Sequence, residues 1–204
     1  MAEWHDQSSI AKGSVAGDIR YVDVTGDGKV TVDDKTYLGS RIPKYTFGLN
    51  LGAEYKGFDF SVLAQGVAGV KGYMSLFAGH AFYQEGSIQK WQMENCWNVQ
   101  QNNRYPGYPR LEVMSNAGSN NTLVSDFWVI DASFVKVRNI QLGYTLPESW
   151  TNKFGSSGLR IYVSLDNPFT FSDYRKGWDP ENTNNNAQYY PTLSTYTLGL
   201  SLKF

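Results

Sequence analysis

The sequence predicts an all-β fold in which about five antiparallel strands form part of a transmembrane β-barrel, and three observations carry this prediction. Residues 195–204 alternate strictly between apolar and polar side chains, and a tilted strand needs about 9–11 residues to cross a bilayer. Earlier segments show the same two-residue period. The connections alternate between short and long, which is typical of barrels with short turns at one end and long loops at the other.

The terminal segment has one apolar and one polar face. Because a strand places successive side chains on opposite sides, every second residue shares a face. The apolar face carries Tyr196, Leu198, Leu200, Leu202 and Phe204, and the polar face carries Thr195, Thr197, Gly199, Ser201 and Lys203. A strand of a soluble sandwich is usually shorter, at roughly 5–6 residues. The length and the alternation therefore favour contact with lipid.

The other predicted strands cover 45–56, 58 to about 72, 133–146 and 159–171. In the strand over 133–146, Val135 and Val137 have the opposite parity from Ile140. A β-bulge adds one residue to a strand and changes the face on which the following side chains lie. The change of parity therefore predicts a bulge near Arg138 or Asn139.

The connections between the strands differ in length. The first two strands are joined by a tight turn at Lys56-Gly57, and the third and fourth by 147–158, whose Pro, Asn, Gly and Ser residues are turn formers. Counting strands back from a periplasmic C-terminus puts the remaining connections on the extracellular side. These predicted extracellular loops are 18–44, 73–132 and 172–194.

Composition excludes several classes of protein. The net charge of −1 gives no reason to expect nucleic acid as a partner. No stretch of 18 or more apolar residues is present, which excludes a transmembrane helix. The first residues lack the basic and apolar regions of a signal peptide, so an outer-membrane location would make the chain a piece of a longer protein. Cys96 is alone, so we expect no intrachain disulfide, and we expect no catalytic cysteine.

Residues 23–34 have the spacing of an EF-hand-type calcium loop. Ligand positions 1, 3, 5, 7 and 12 fall on Asp23, Thr25, Asp27, the carbonyl of Lys29, and Asp34. Gly28 occupies the sharp turn of the loop. The closing residue is Asp rather than the longer Glu, and Thr25 is a neutral ligand. The sequence leaves two interpretations, a structural calcium site on an extracellular loop and a solvated acidic turn.

The loop 73–132 concentrates aromatic side chains among amides. Flat rings beside Asn and Gln suit sugar binding, but they also suit a loop that packs on itself, and we expect self-packing. The aromatic residues concerned are Trp91, Trp97, Tyr105, Tyr108 and Trp128. The sequence has no paired acid and base, nucleophile elbow, zinc spacing or phosphate-binding loop, so we do not expect an enzyme.

Several separated blocks of sequence form a pattern in a fixed order. They are GDIRYVD at 17–23, TGDG at 25–28, DD at 33–34, Gly39, PKYTFG at 43–48, SDFW at 125–128, DASF at 131–134, NIQLGYTLP at 139–147, YP at 190–191 and YTLGL at 196–200. This pattern resembles the late part of the SusC/RagA family, the TonB-dependent outer-membrane transporters of Bacteroidetes. The resemblance covers nearly the whole chain from Gly17 onward.

The resemblance implies a large single-chain barrel of roughly 22 strands with a plug inside, of which residues 1–204 would be the C-terminal part. It implies an outer-membrane location with a periplasmic C-terminus, and import of glycans or peptides with a SusD-like lipoprotein partner and energy delivered through TonB. Terminal Phe204 resembles the signal read by the barrel-assembly machinery. Outer-membrane lipid would cover the apolar face, and both edges of such a piece would be open.

One alternative from another class also fits the residues. It is a secreted, calcium-stabilised β-sandwich that binds carbohydrate, which would show alternating strands, loop aromatics and an Asp-rich loop as well. Its strands would be joined by loops of more even length. The uneven loops and the unbroken terminal strand of this chain favour the barrel.

Overall fold

The structure is a computed structural model that describes residues 5–98, 106–114, 119–175, 178–182, 190 and 192–203. The described residues form two compact units. The first consists of the described residues within 1–39 and 73–130, and the second of those within 40–72, 131–183 and 189–204. None of the helices in these described ranges is both long enough and apolar enough to span a membrane.

A five-stranded antiparallel sheet forms the second unit. In chain order, the strands of the protein are β1 (Tyr45–Tyr55), β2 (Phe58–Ala68), β3 (Lys71–Tyr73), β4 (Val129–Asp131), β5 (Phe134–Thr145), β6 (Gly158–Ser172) and β7 (Thr195–Lys203). The sheet has the order β1-β2-β5-β6-β7, and β3 pairs separately with β4. The antiparallel all-β prediction is confirmed, with strand ends a few residues from the predicted ones. Phe204 lies outside the described residues.

The strand β5 carries the predicted bulge. Its pairing with β6 shifts register between Val137 and Asn139, so Arg138 stands outside the paired positions. The extra residue returns Val137 to the apolar face that Ile140 occupies, since Val137 pairs with Ala64 of β2. This bulge explains the change of parity in the sequence and confirms the predicted position.

Tight connections join the strands at one end of the sheet. Lys56 and Gly57 have φ angles of 48° and 86°, and a two-residue type I′ turn requires positive φ at both positions. A Cβ on Gly57 would also lie 2.8 Å from the carbonyl oxygen of Thr145. The connection 147–158 contains a short helix at Glu148–Thr151. Both predicted short connections are therefore present.

The first unit surrounds a buried apolar cluster. Its members are Met74, Ala81, Tyr108, Met114 and Trp128. Two short helices, α1 (Leu76–Gly79) and α2 (Lys90–Asn95), lie along the same stretch of chain, and the helix at Glu148–Thr151 is α3. The described parts of the predicted loop 73–132, which leave out 99–105 and 115–118, are therefore folded. Their elements are too short to produce a clear hydrophobic period, which is why the sequence indicates only a loop.

Candidate functional site

The five-stranded sheet has one continuous apolar face. Directly paired residues of neighbouring strands project on the same side, so the register aligns apolar side chains in rows across the sheet. One row is Ala53, Phe60, Leu142, Val163 and Leu198, and the next is Leu51, Val62, Ile140, Leu165 and Tyr196. Leu198 is 75% exposed and Leu51 is 54% exposed. A protein in water rarely leaves so large an apolar surface uncovered.

Aromatic side chains mark both ends of this apolar face. At the end with the β1–β2 turn, Tyr55, Phe58 and Tyr144 share a row, and the ring centroids of Phe58 and Tyr144 are 4.5 Å apart. At the other end, the ring centroids of Phe169 and Phe171 are 6.5 Å apart. Outer-membrane barrels carry aromatic girdles at the two levels where the bilayer meets water. The aromatic residues at the two ends of the apolar face are typical of such girdles.

The opposite face is polar and carries an ion pair between strands that are not neighbours. Asp59 on β2 accepts hydrogen bonds from Nε and Nη2 of Arg160 on β6, at 2.8 and 2.5 Å. The strand β5 lies between them, and its residue at this level is Gly143, which pairs with Asp59. A Cβ on Gly143 would lie 2.3 Å from Asp59 Oδ2 and 2.6 Å from Arg160 Nη2. The absence of a side chain at Gly143 lets the pair cross β5.

A second glycine, Gly199 on the edge strand β7, also leaves room for a side chain from the neighbouring strand. The guanidinium carbon of Arg160 lies 4.9 Å from the ring centre of Tyr162. Tyr162 pairs with Gly199 of β7, and a Cβ on Gly199 would lie 2.2 Å from the Tyr162 ring. The ring therefore covers Gly199. Together, Asp59, Arg160 and Tyr162 form a polar belt that runs from β2 to β7.

Short hydroxyl and amide side chains line the middle of the polar face. Asn139 Nδ2 donates to Ser164 Oγ at 2.9 Å and to Asp166 Oδ1 at 2.8 Å, which ties β5 to β6. The row of Ser164 also contains Ser61, Gln141 and Thr197. Hydroxyls and amides both donate and accept hydrogen bonds, so this face is suited to water and polar solutes.

The structure brings Asp23, Thr25 and Asp34 of the predicted calcium ligands together. The Thr25 hydroxyl lies 3.2 Å from Asp23 Oδ1 and 3.1 Å from Asp34 Oδ1. Asp27 instead accepts a hydrogen bond from the Lys29 N–H at 2.9 Å. Within the described ranges, no group of three or more His, Cys, Asp or Glu side chains is arranged to hold a metal. The side-chain atoms of Asp23, Thr25 and Asp34 that come together are all oxygen atoms, which are the ligands that calcium prefers.

Backbone N–H groups hold the two carboxylates of this loop. Asp34 accepts hydrogen bonds from the N–H groups of Thr31 at 2.6 Å and Thr25 at 2.9 Å. These bonds, with that from Thr31 the stronger influence, hold the pKa of Asp34 below its usual range. Burial raises the pKa of Asp23, but hydrogen bonds from two glycine N–H groups outweigh it and leave the pKa lowered. Two ionised carboxylates therefore hold the loop closed by accepting hydrogen bonds from its backbone N–H groups.

The aromatic side chains of the first unit pack against one another. The ring of Tyr108 lies edge-on to those of Trp91 and Trp128, with centroids 5.1 and 5.9 Å apart. Tyr108 is 0% exposed and Trp128 is 2% exposed. Self-packing is therefore observed for these three residues, whereas Tyr105 lies outside the described residues. Rings buried in this way offer no face to a sugar.

A buried asparagine, which the sequence does not single out, joins distant parts of the first unit. Asn121 is 0% exposed, and its Nδ2 donates to Asp18 and to Glu112 at 2.9 Å each. Its Oδ1 accepts a hydrogen bond from the Ile19 N–H at 2.7 Å. Arg110 also donates to Asp18, at 2.6 Å. Residues so far apart along the chain carry no local signal that would pair them.

Comparison with known proteins identifies the type of chain. TonB-dependent receptor P3 of Formosa agariphila is 31% identical over 97% of this chain, and TonB-dependent receptor SusC of Bacteroides thetaiotaomicron is 30% identical over 90% of it. The solved structure of the RagAB peptide importer in the open-open state matches 98% of the chain, with a TM-score of 0.67 and 25% identity. The chain is of the SusC/RagA type. No family model matches it.

This SusC/RagA-type chain spans about a fifth of the length of the relatives it matches: 20% of receptor P3, 17% of SusC and 22% of the RagAB importer chain. The closed-closed state of the same importer matches 90% of the chain with a TM-score of 0.66. Because the first match covers 97% of the chain, the sheet and the first unit both belong to the shared region. The resemblance that the sequence blocks indicate is confirmed.

Proposed function

We propose that the chain is the C-terminal part of the barrel of an outer-membrane, TonB-dependent transporter that imports glycans or peptides. One observation carries the proposal: a single sheet exposes apolar side chains on every strand, from Leu51 on β1 to Leu198 on β7. Lipid chains would cover such an apolar face. Closed barrels are the β-structures that span bilayers. The polar face would then line the interior.

The two edge strands support a barrel with more strands than this chain supplies. Among the described strands, β1 and β7 each have a neighbour on one side only, and they are 11 and 9 residues long. Long edge strands present rows of unpaired N–H and C=O groups, which native proteins cover or shorten. In the proposed transporter, strands from the rest of a longer polypeptide would pair with both edges.

The proposal extends to partners and orientation by analogy with the relatives. A SusD-like lipoprotein would cap the barrel outside, TonB would deliver energy through a part of the protein beyond this chain, and the barrel-assembly machinery would act on the C-terminal strand. With a periplasmic C-terminus, the segments 18–44, 73–132 and 172–194 would be extracellular. The RagAB relative is a peptide importer, which supports peptides beside glycans as substrates.

Uptake by the native host tests the proposed function. We expect deletion of the gene to abolish uptake of at least one labelled oligosaccharide or peptide fraction that the parent strain accumulates. Re-expression of the full-length protein should restore that uptake, and loss of TonB should abolish it again. Unchanged accumulation of every fraction in the deletion strain would contradict the proposal.

We also propose that calcium binds the 23–34 loop as a structural ion. The ligands would be Asp23, Thr25, Asp27, the Lys29 carbonyl and Asp34. The approach of the Asp23 and Asp34 carboxylates to the Thr25 hydroxyl supports the site. In this proposal Asp27 gives up its hydrogen bond from the Lys29 N–H to join them. The ion would further stabilise a loop whose carboxylates are otherwise bound by backbone N–H groups and by the Thr25 hydroxyl.

Calorimetry on the purified full-length protein tests the calcium site. We expect calcium uptake at up to about millimolar concentration and a rise in unfolding temperature, both reduced by Asp27→Ala. Asp33→Ala is the matched control, because Asp33 lies in the same acidic loop but outside the proposed ligand set. The absence of calcium uptake, with no effect of Asp27→Ala on the unfolding temperature in calcium, would contradict the site.

A secreted carbohydrate-binding sandwich receives less support. In a sandwich a second sheet packs against the apolar face of the first, whereas the apolar residues of β7 are between 51% and 75% exposed. The buried rings of Tyr108 and Trp128 are also withdrawn from any sugar. Both observations favour the barrel.

A further inference from the structure

The connection from β6 to β7 returns to the bulge of β5 through charged side chains. Lys136, on the polar face of β5, is only 3% exposed, and its Nζ lies 2.5 Å from Asp179 Oδ1 and 2.7 Å from Glu181 Oε2. An ammonium group is costly to bury unless carboxylates and hydrogen bonds surround it. These two carboxylates account for the burial of Lys136, and both come from the connection rather than from the sheet.

The bulged residue binds the same segment. Arg138 donates from Nη2 to Glu181 Oε1 and from Nε to Gln65 Oε1 of β2 at 3.2 Å. A bulge re-aims the side chain of the extra residue, and here that side chain reaches the connection. Glu181 therefore bridges Lys136 and Arg138.

Hydrogen bonds donated by two hydroxyl groups attach the far end of the connection to the same region. Thr192 Oγ1 donates to Asp179 Oδ2 at 2.7 Å, and Ser194 Oγ donates to the carbonyl oxygen of Asn167 on β6 at 2.7 Å. Burial raises the pKa of Asp179, but hydrogen bonds from Lys136 and Thr192 outweigh it and leave the pKa lowered. The carboxylate is therefore charged at neutral pH.

We propose that Lys136 and Arg138 form a clamp that holds the segment 178–182 against the polar face of the sheet by binding Asp179 and Glu181. The contacts that Asp179 and Glu181 make with Lys136 and Arg138 of β5 are ion pairs, so charge contributes directly to the position of this segment. In the proposed transporter the polar face lines the passage, and the clamp then sets how far the segment reaches into it. That consequence rests on the proposed function, whereas the clamp itself does not.

Removal of the two carboxylates without a change of shape tests the clamp. In the full-length protein purified in detergent, Asp179→Asn with Glu181→Gln leaves both cations of β5 in place. We expect trypsin to cleave after Arg175 about tenfold faster than in the wild type, because local cleavage tracks the population of the opened segment. The matched control is Asp59→Asn, which removes an ion pair at another place on the same face and should leave this rate unchanged.

A second variant keeps the test decisive where the double variant assembles poorly. Glu181→Gln alone keeps the ion pair between Lys136 and Asp179 and removes the charge that Glu181 presents to Lys136 and Arg138. Cleavage after Arg175 that is faster than in the control supports the clamp. Cleavage at the wild-type rate in an assembled variant overturns it. Cleavage in detergent requires no transport, so failure of the uptake test and failure of the clamp are separate results.

Discussion

Arg160 and Asp59 form an ion pair across an intervening strand, over the bare backbone of Gly143. Arg160 lies on β6 and Asp59 on β2, and these strands share no backbone ladder. Each side chain of the pair is 28% exposed. The pair therefore joins strands on the polar face in a way that the ladder of backbone hydrogen bonds does not.

A methyl group at position 143 should break this cross-link. In Gly143→Ala, the Cβ would lie 2.3 Å from Asp59 Oδ2 and 2.6 Å from Arg160 Nη2, so the pair must separate. Overpacking of this kind costs about 1–3 kcal/mol. We expect the free energy of unfolding of the full-length protein, measured by urea titration in detergent, to fall by a similar amount.

The matched control for this substitution is Gly48→Ala on β1. Gly48 also lies on the polar side of its strand, opposite Gln65, but its Cβ would meet only the Ala64 carbonyl oxygen at 3.8 Å. That distance is an ordinary van der Waals contact, so little stability should be lost. Equal losses in the two variants would mean that the ion pair does not depend on Gly143.

Arginine substitutions on β7 separate the two faces of the sheet. Leu200→Arg places a charge on the apolar face, where it should cost about 2–4 kcal/mol near the bilayer midplane and lower the amount of assembled protein. Thr197→Arg, on the polar face, should be tolerated better. Immunoblots of outer membranes containing each full-length variant give the measurement, and equal assembly would contradict the assignment of faces.

The hydroxyl of Tyr108 should stabilise the first unit. It accepts a hydrogen bond from the Ala81 N–H at 2.9 Å and donates to the Gly79 carbonyl oxygen at 2.8 Å. In Tyr108→Phe the buried Ala81 N–H loses this partner, at a cost of about 1–3 kcal/mol. We expect faster hydrogen exchange at Ala81, and no change in Tyr37→Phe, because Tyr37 is 79% exposed. Unchanged exchange in Tyr108→Phe would contradict this role.

Acid should loosen the 23–34 loop through Asp34. Hydrogen bonds from the N–H groups of Thr31 and Thr25 hold the pKa of Asp34 below the ordinary value of 3.8. A carboxyl group with a lowered folded-state pKa stabilises the fold fully above its unfolded pKa, and that contribution is lost as the pH falls through the folded value. In calcium-free buffer, exchange at Thr25 and Thr31, corrected for the intrinsic rate, should accelerate below about pH 4.

The control for this pH dependence is Asp34→Asn, which removes the titrating group and keeps the shape of the side chain. The acceleration below about pH 4 should disappear in this variant. An identical acceleration in the variant and the wild type would assign the effect to another group.

Alternation of side chains is sufficient to locate the strands of the sheet, because each strand has one apolar and one polar side. Thr197 and Leu198 show this contrast on β7, where neighbours in sequence lie on opposite faces. The bulge is visible for the same reason, since Arg138 changes the parity of Val137 relative to Ile140. The two-residue alternation shows which side of each strand is apolar and which is polar. It therefore predicts both the strands and the bulge.

Contacts between distant residues could not be predicted, because each partner looks ordinary in its own strand. Asp59 pairs with Gly143, and Arg160 pairs with Thr145 two residues farther along β5, so only the strand order and the register bring Asp59 and Arg160 together. A glycine inside a strand is a local hint of close approach by another group, but it does not name that group. Lys136 likewise has the sequence context of a surface lysine, but it is buried and paired with Asp179 of the returning connection. The ligand spacing of the 23–34 loop predicts that Asp23, Thr25 and Asp34 come together. It predicts neither the hydrogen bond that Asp27 accepts from the Lys29 N–H nor the amide N–H groups that bind Asp34.

Cysteine labelling at adjacent positions of β7 tests the central claim, that these strands form the wall of a transmembrane barrel. Thr197→Cys and Leu198→Cys would be made in the full-length protein without other cysteines, including Cys96→Ser. Intact outer membranes would then be treated with a charged, water-soluble maleimide or with a lipid-soluble one. We predict that the Thr197→Cys variant reacts with the charged reagent and that the Leu198→Cys variant reacts only with the lipid-soluble reagent. Equal reaction of both variants with the charged reagent would contradict the account, because both faces of the sheet would then be in water.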